Sequence, residues 1–105
     1  MDTAPAPLTG KEKKYLKSLA HPLVPVVQLG KEGLSAQAIA AVNIELARHE
    51  LIKVKIGNNS GLGKEETAAT LVASTGSHLV QVIGKTVVLY RTNPKRPKEQ
   101  RIRLP

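Results

Sequence analysis

The chain of 105 residues contains no cysteine, tryptophan or phenylalanine, and only two tyrosines. Without cysteine there can be no disulfide bond, no thiolate metal site and no cysteine nucleophile. The shortage of aromatic side chains excludes a stacking platform of the kind on which RRM sheets and OB folds read single-stranded bases. A nucleic-acid-binding chain of this composition would have to contact backbone, helix shape or 2′-hydroxyls instead.

The sequence also lacks a long hydrophobic run. No stretch approaches the length of a membrane span, and the Ala/Pro-rich first seven residues contain no apolar signal-peptide core. These features predict a soluble cytoplasmic protein. The length suits one domain, for which we predict a disordered segment at residues 1–7, a folded domain at residues 8–92 and a basic tail at residues 93–105.

Acidic residues are scarce relative to basic ones. Sixteen Lys and Arg stand against eight Asp and Glu, which leaves a net charge of +8. The excess lies at the two ends of the chain, in Lys11, Lys13, Lys14 and Lys17 and in the stretch from Arg91 onward. Such an imbalance is typical of proteins with a polyanionic partner. If the two ends lie together in the fold, they form one basic patch.

Periodicity and turn signals predict the order helix, strand, helix, strand, helix, strand, strand. Thr9 and Glu12 form a capping box before the first helix, and Gly84-Lys85 is a two-residue hairpin turn of type II′. We predict helices over about 10–20, 35–48 and 64–75 and strands over 24–29, 51–56, 78–83 and 86–91. Ile52, Val54 and Ile56 alternate with Lys53 and Lys55, which indicates a sheet covered on one face. The fold class is therefore a two-layer α/β sandwich (α+β) with a mixed four-stranded sheet, in which helix-linked strands pair in parallel.

The most informative motif is Gly30-Lys31-Glu32-Gly33, between the first strand and a helix with Ser35 as N-cap. Two glycines allow another backbone to approach closely, and the helix N-terminus favours phosphate. The KH domain clamps nucleic-acid backbone with such a GxxG loop. Taken alone, the same spacing also fits a plain structural turn.

The remaining sequence patterns give weaker indications of function. The glycine-rich stretch from Gly57 does not match a P-loop, because Leu62 stands where the second glycine is needed and Glu65 follows Lys64. The three histidines show no metal-ligand spacing, and no catalytic signature is present. We expect no enzyme activity, no cofactor, no metal, no membrane and no small-molecule substrate, and the sequence leaves the oligomeric state open. Lys53, Lys55 and the first-helix lysines could be merely solvated, and the tail could be disordered charge.

Four stretches together resemble a known family. They are Leu16 to Leu23, Pro25 to Leu34, His49 to Ile56 and Val80 to Arg91, and they are similar to the CRM domain (chloroplast RNA splicing and ribosome maturation), above all its bacterial single-domain YhbY-like members. The resemblance implies an RNA-binding domain with a fold like the C-terminal domain of translation initiation factor 3. It also implies association with precursors of the large ribosomal subunit.

We therefore interpret the chain as an RNA-binding protein of ribosome assembly that grips structured RNA through the GxxG loop and a basic surface. The predicted RNA contacts are Gly30, Lys31, Glu32, Gly33, Ser35, Lys53, Lys55, Lys85, Arg91, Lys11, Lys13, Lys14 and Lys17. Glu32 places an acid in a loop expected to meet phosphate. Alternatives are a protein-interaction module docking on a ribosomal protein or assembly factor, an enzyme acting on RNA, and a DNA-binding protein.

Overall fold

The computed structural model describes residues 7–105, so the predicted disorder of residues 1–6 lies outside the described residues. Three helices and four strands follow in the predicted order, and a short 3-10 helix lies near the C-terminus. The elements are α1 (Gly10–Ala20), β1 (Val27–Leu29), α2 (Ala36–His49), β2 (Leu51–Ile56), α3 (Lys64–Thr75), β3 (His78–Ile83), β4 (Thr86–Tyr90) and the 3-10 helix Lys98–Gln100.

The sheet has the strand order β1-β2-β4-β3. The first two strands pair in parallel, and β4 pairs antiparallel with both β2 and β3. The mixed four-stranded sheet of the prediction is thus confirmed. The expectation that all helix-linked strands pair was wrong for β2 and β3, which run in the same direction but lie apart. The β3–β4 hairpin folds its second strand into the gap between them.

Helices α2 and α3 cover one face of the sheet with the larger core. Val42 and Leu46 of α2 and Leu71 of α3 are fully buried against the sheet. The predicted inward side chains of β2, Ile52, Val54 and Ile56, all lie in this cluster. This is the sandwich that the alternation in residues 51–56 predicts, because every second side chain of a strand points to the same face.

The opposite face, here called the α1 face, is partly covered as well. Leu16 and Ala20 of α1 are buried there with sheet residues that alternate with those of the larger core, namely Leu51, Val80, Val88 and Tyr90. Leu8 from the N-terminal side and Ile102 and Leu104 from the C-terminal side pack against the same cluster. The prediction that the sheet is covered on one face only was therefore wrong for this part of the sheet. The two ends of the described chain meet on the α1 face.

Local signals position these elements. Thr9 and Glu12 form both hydrogen bonds of the predicted capping box, and Gly76 ends α3 in the left-handed region. Gly84 has a φ of +55°, whereas the φ of Lys85 is not positive. This is the combination that a type II′ turn requires, with a positive φ at its first central residue only. Strand β1 begins at Val27 rather than at residue 24. Pro25 has no N–H to donate, and only the Val26 amide extends the pairing, to the Lys53 carbonyl at 3.0 Å.

Candidate nucleic-acid interface

Three connections converge at one end of the sheet, here called the loop end. They are the GxxG turn after β1, residues 57–63 after β2 and the Gly84-Lys85 turn of the hairpin. The Gly57 amide donates to the Leu29 carbonyl at 2.7 Å, and the Ile56 amide donates to the Lys85 carbonyl at 2.7 Å. A Cβ on Gly57 would lie only 2.7 Å from the Leu29 oxygen, so the close contact between the first two connections requires glycine.

The GxxG motif forms a closed turn whose tip points into solvent. The Gly33 amide donates to the Gly30 carbonyl at 2.9 Å, and Gly33 has a φ of +66°. Lys31 and Glu32 are both exposed at the tip. No heavy atom lies within 4 Å of the position that a Cβ on Gly30 would occupy. The turn therefore leaves open space beside Gly30 into which another backbone fits.

Both long helices of the larger core begin at the loop end, because each returns antiparallel to the strand before it. The Ser35 hydroxyl accepts from the Ala38 amide at 3.1 Å, as an N-cap should, and the first turn of α2 contains no acid. The first turn of α3 contains Glu65 and Glu66, and the Glu66 carboxylate folds back toward Gly63. An external anion is therefore better accommodated at α2, where first-turn amides point away from the helix without intrahelical partners.

Two of the predicted lysines lie at the loop end. Lys55 is exposed and is the register partner of Gln28 on β1 and of Thr86 on β4. The Lys85 ammonium donates to the Asn58 side-chain oxygen at 2.8 Å. The structure thus brings Gly30–Gly33, Ser35, Lys55 and Lys85 to the loop end. Sequence reasoning missed Asn58; the glycines of its loop were visible as a turn, but its contact with Lys85, 27 residues away, was not.

The lysines of α1 and Lys53 lie on the α1 face instead. Lys11, Lys13, Lys14 and Lys17 are exposed along α1. The Lys53 ammonium donates to the Leu23 carbonyl at 2.9 Å and to the His21 carbonyl at 3.4 Å, so it stabilises the end of α1. Between α1 and the sheet lies an open cleft of about 670 Å³, lined by Lys17, Lys53 and Gln81 among others. Lys55 follows two residues after Lys53 on the same face of β2.

Arg91 is separated from the loop end by the length of the sheet. Its guanidinium donates to the Asn43 side chain and to the Thr75 carbonyl, each at 2.7 Å, and to the Asn43 carbonyl at 3.1 Å. These bonds join the middle of α2 and the end of α3 to the residue that follows β4. The structure therefore does not bring Arg91 together with the other predicted contacts, and the guanidinium is engaged within the protein.

The three histidines lie on three different elements of the fold. His21 ends α1, and His49 lies 3.3 Å from the Glu45 carboxylate. His78 stacks on Tyr90, with ring centroids 6.1 Å apart. Burial lowers the pKa of His78, against an opposing effect of Glu12, and burial raises the pKa of Tyr90. Within residues 7–105, no three His, Asp or Glu residues cluster as metal ligands would, and no helix there is long and apolar enough to cross a membrane.

Comparison with known proteins matches most of the chain to one domain family. Residues 8–91 match the CRS1 / YhbY (CRM) domain. The chain belongs to this family. The CRM match spans α1 to the end of β4 and thus includes the GxxG turn, both helix N-termini and the β3–β4 hairpin.

Individual CRM relatives are similar along most of their length. The chain is 44% identical to "Probable RNA-binding protein YqeI" of Bacillus subtilis over 84 residues, which cover 80% of this chain and 88% of YqeI. It is 41% identical to an "RNA-binding protein" of Haemophilus influenzae over 98 residues, 93% of this chain and 95% of that protein. The solution structure of the hypothetical protein SAV1595 from Staphylococcus aureus is similar with a TM-score of 0.75 and 45% identity, covering 93% of this chain and 99% of that one.

Proposed function

We propose that this CRM protein binds structured RNA by gripping its backbone at the loop end, and that it acts without catalysing a reaction. The observation that carries the proposal is the position of the GxxG turn. It lies open beside Gly30 and next to the N-terminus of α2, at the same end of the sheet as Lys55 and Lys85. The names of the relatives YqeI and the Haemophilus protein describe RNA as their ligand, which supports the same partner here.

The chemistry of the loop end favours backbone over base recognition. A phosphate beside Gly30 would meet first-turn amides of α2, and Lys31 would add positive charge. No aromatic side chain belongs to the loop-end segments 30–33, 57–63 and 84–85, so bases find no stacking surface there. We therefore expect modest sequence preference, preference for structured RNA, and affinity that falls steeply with salt through counterion release.

We further propose that the RNA is ribosomal RNA in precursors of the large subunit, and that the protein acts in the assembly of that subunit. This proposal is supported by the resemblance to YhbY-like members. Sedimentation of a cell extract through a sucrose gradient tests it. The protein should migrate with particles near the large subunit and should shift to the top after RNase treatment. Migration at the top without RNase would contradict it.

The role of the turn is tested by replacing both tip residues with aspartate, Lys31→Asp and Glu32→Asp. Both side chains are exposed, so the fold should persist. Loss of a cation and gain of an anion beside phosphate should weaken binding of a ribosomal RNA hairpin about tenfold or more at low salt, because several phosphate contacts depend on this turn. Fluorescence anisotropy across a salt series measures the affinity.

A matched control separates position from charge. Ala40→Asp with Thr70→Asp makes the same change of −2 on exposed positions of α2 and α3. This control should bind RNA more tightly than the turn variant. Equal loss in the two variants would mean that only total charge matters, and unchanged affinity in a folded turn variant would remove the turn from the site.

A second candidate function, docking on a protein, is favoured by one surface. Leu23, Val24 and Val26 before β1 are exposed apolar residues, and Val24 is 73% exposed. They line an apolar groove of about 320 Å³ with Leu19 and Ile102. Pulldown from a cell extract distinguishes the two functions: a partner bound through protein contacts survives RNase, whereas one tethered through RNA is lost.

A further inference from the structure

A buried carboxylate holds the C-terminal segment, residues 92–105, against the body of the domain, in addition to the packing of Ile102 and Leu104 on the α1 face. Glu50 is fully buried, with 0% exposure, between the end of α2 and the start of β2. Its carboxylate accepts hydrogen bonds from the Asn93 amide at 2.7 Å, the Ile102 amide at 2.8 Å and the Arg96 guanidinium at 2.9 Å. Donors from both ends of the stretch 93–102 thus converge on one side chain.

The backbone at Glu50 is itself unusual. Glu50 is the one residue other than glycine with a positive φ within residues 7–105, at +65°. Its ψ of −36° lies outside the left-handed helical region, and such a sparsely populated conformation costs about 1–3 kcal/mol for a residue with a Cβ, whereas glycine adopts a positive φ readily. A glutamate in that position, with both its carboxylate oxygens occupied by the C-terminal segment, indicates that the side chain is needed for those contacts.

The segment held in this way lies on the α1 face with its cations outward. Ile102 and Leu104 pack against the cluster that contains Leu16 and Ala20 of α1, whereas Arg103 between them is exposed. Lys95 and Lys98 are exposed as well, and only Arg96 is neutralised by Glu50. The segment therefore adds free positive charge beside the exposed lysines of α1.

This basic surface continues toward the loop end. The cleft lined by Lys17 and Lys53 reaches Ile83, the last residue of β3 before the hairpin turn, and Lys55 follows Lys53 on the same face of β2, opposite Gln28 of β1. Cations spread from α1 to the loop end suit a long, regular polyanion better than a compact acidic patch on a protein.

We propose that Glu50 is a positioning residue that holds residues 92–105 on the α1 face, where Arg103 and Lys98 join the α1 lysines in a second contact surface for the RNA backbone. The inference rests on the proposed function, because it takes RNA as the ligand of both surfaces. Glu50 itself touches no RNA and acts only through the segment it holds.

Glu50→Gly tests the positioning role in the full-length chain. Glycine removes the carboxylate and is compatible with the positive φ, so the corner between α2 and β2 can persist. The variant also gains one unit of positive charge, so charge counting predicts tighter RNA binding. The proposal predicts the opposite, because every cation is retained but the segment is no longer held in place.

The measurement uses an RNA hairpin with a stem of about 16 base pairs, the span of a double-stranded RNA-binding domain. We expect the Asn93 and Ile102 amides of the variant to exchange hydrogen faster, and its affinity at low salt to fall about threefold or more. The slope of log affinity against log salt should become shallower by about 0.7 to 0.9 for each phosphate that the variant no longer neutralises. Faster amide hydrogen exchange with unchanged or tighter RNA binding would overturn the role of the second contact surface. Unchanged hydrogen exchange would overturn the positioning role of Glu50.

A pair of arginine variants decides the question even if Glu50→Gly does not fold. Arg103→Ser removes a cation of the proposed surface, and Arg48→Ser removes an exposed cation of α2 outside it. Arg103→Ser should reduce the salt slope by the equivalent of about one phosphate, and Arg48→Ser should leave it unchanged. Equal effects of the two substitutions on the salt slope would overturn the proposal. An acidic protein would then be the expected partner of this surface. If the wild type and the turn variant bind the hairpin equally or not at all, it is the proposed function that fails.

Discussion

The two glycines of the GxxG turn have different physical roles. Gly33 adopts a φ of +66°, which an L side chain rarely adopts, although a Cβ there would meet only Leu62 at 3.8 Å. Gly30 has an ordinary φ and open space around its Cβ position. The first glycine is therefore free to serve an approaching ligand, whereas the second is required by the turn itself.

Alanine at each position separates these roles. Gly33→Ala should lower the free energy of unfolding by about 1 kcal/mol because of its positive φ. Gly30→Ala should leave stability unchanged or raise it by about 0.5 kcal/mol, since alanine restricts the unfolded chain. The same methyl should nevertheless weaken RNA binding by filling the open space. Urea denaturation and anisotropy measure the two effects, and full RNA affinity in Gly30→Ala would show that no backbone approaches there.

His78 makes the stability of the domain depend on pH. Because burial lowers its folded-state pKa below 6.5, the unfolded chain takes up a proton first as the pH falls. The unfolded state then binds more protons, so the free energy of unfolding should decrease below about pH 6.5 until the folded-state pKa is reached. His78→Gln should flatten this part of the curve of urea midpoint against pH. An unchanged slope in the variant would assign the dependence to other groups.

At the scale of elements, local signals predicted most of the fold. The capping box at Thr9, the strand at residues 51–56 and the Gly84-Lys85 turn each depend on neighbours in sequence, and each is confirmed. The position of β4 between β2 and β3 depends on which strands meet in space, and no local pattern encodes that choice. The same holds for α1, because no local pattern encodes which face of the sheet this helix covers.

The candidate site, too, was predictable from the sequence only where its residues are contiguous. The GxxG turn and the Ser35 cap were visible because their residues are contiguous. The role of Arg91 was not, since its partners Asn43 and Thr75 lie 48 and 16 residues away. The role of Glu50 was not visible either, because only the folded chain brings Asn93, Arg96 and Ile102 to its carboxylate.

At the scale of the whole molecule, the two basic ends of the chain act as parts of one structure. Leu8 and α1 from one end and Ile102 and Leu104 from the other share the smaller cluster. The C-terminal residues thus contribute to folding as well as to charge. In residues 101–104 the packed side chains of Ile102 and Leu104 alternate with arginines, so the two contributions can be separated by mutation.

Removing residues 94–105 should destabilise the domain. Glu50 would stay buried without Arg96 and the Ile102 amide, and loss of one partner of a buried ion pair typically costs about 3 kcal/mol or more. The urea midpoint of the truncated chain should fall accordingly. The full-length variant Lys98→Ser/Arg103→Ser keeps the packing and changes only exposed cations, so its free energy of unfolding should stay within about 0.5 kcal/mol of wild type. Its RNA affinity at low salt should fall all the same. A truncated chain as stable as wild type would show that the contacts of Glu50 with the segment contribute nothing to the fold.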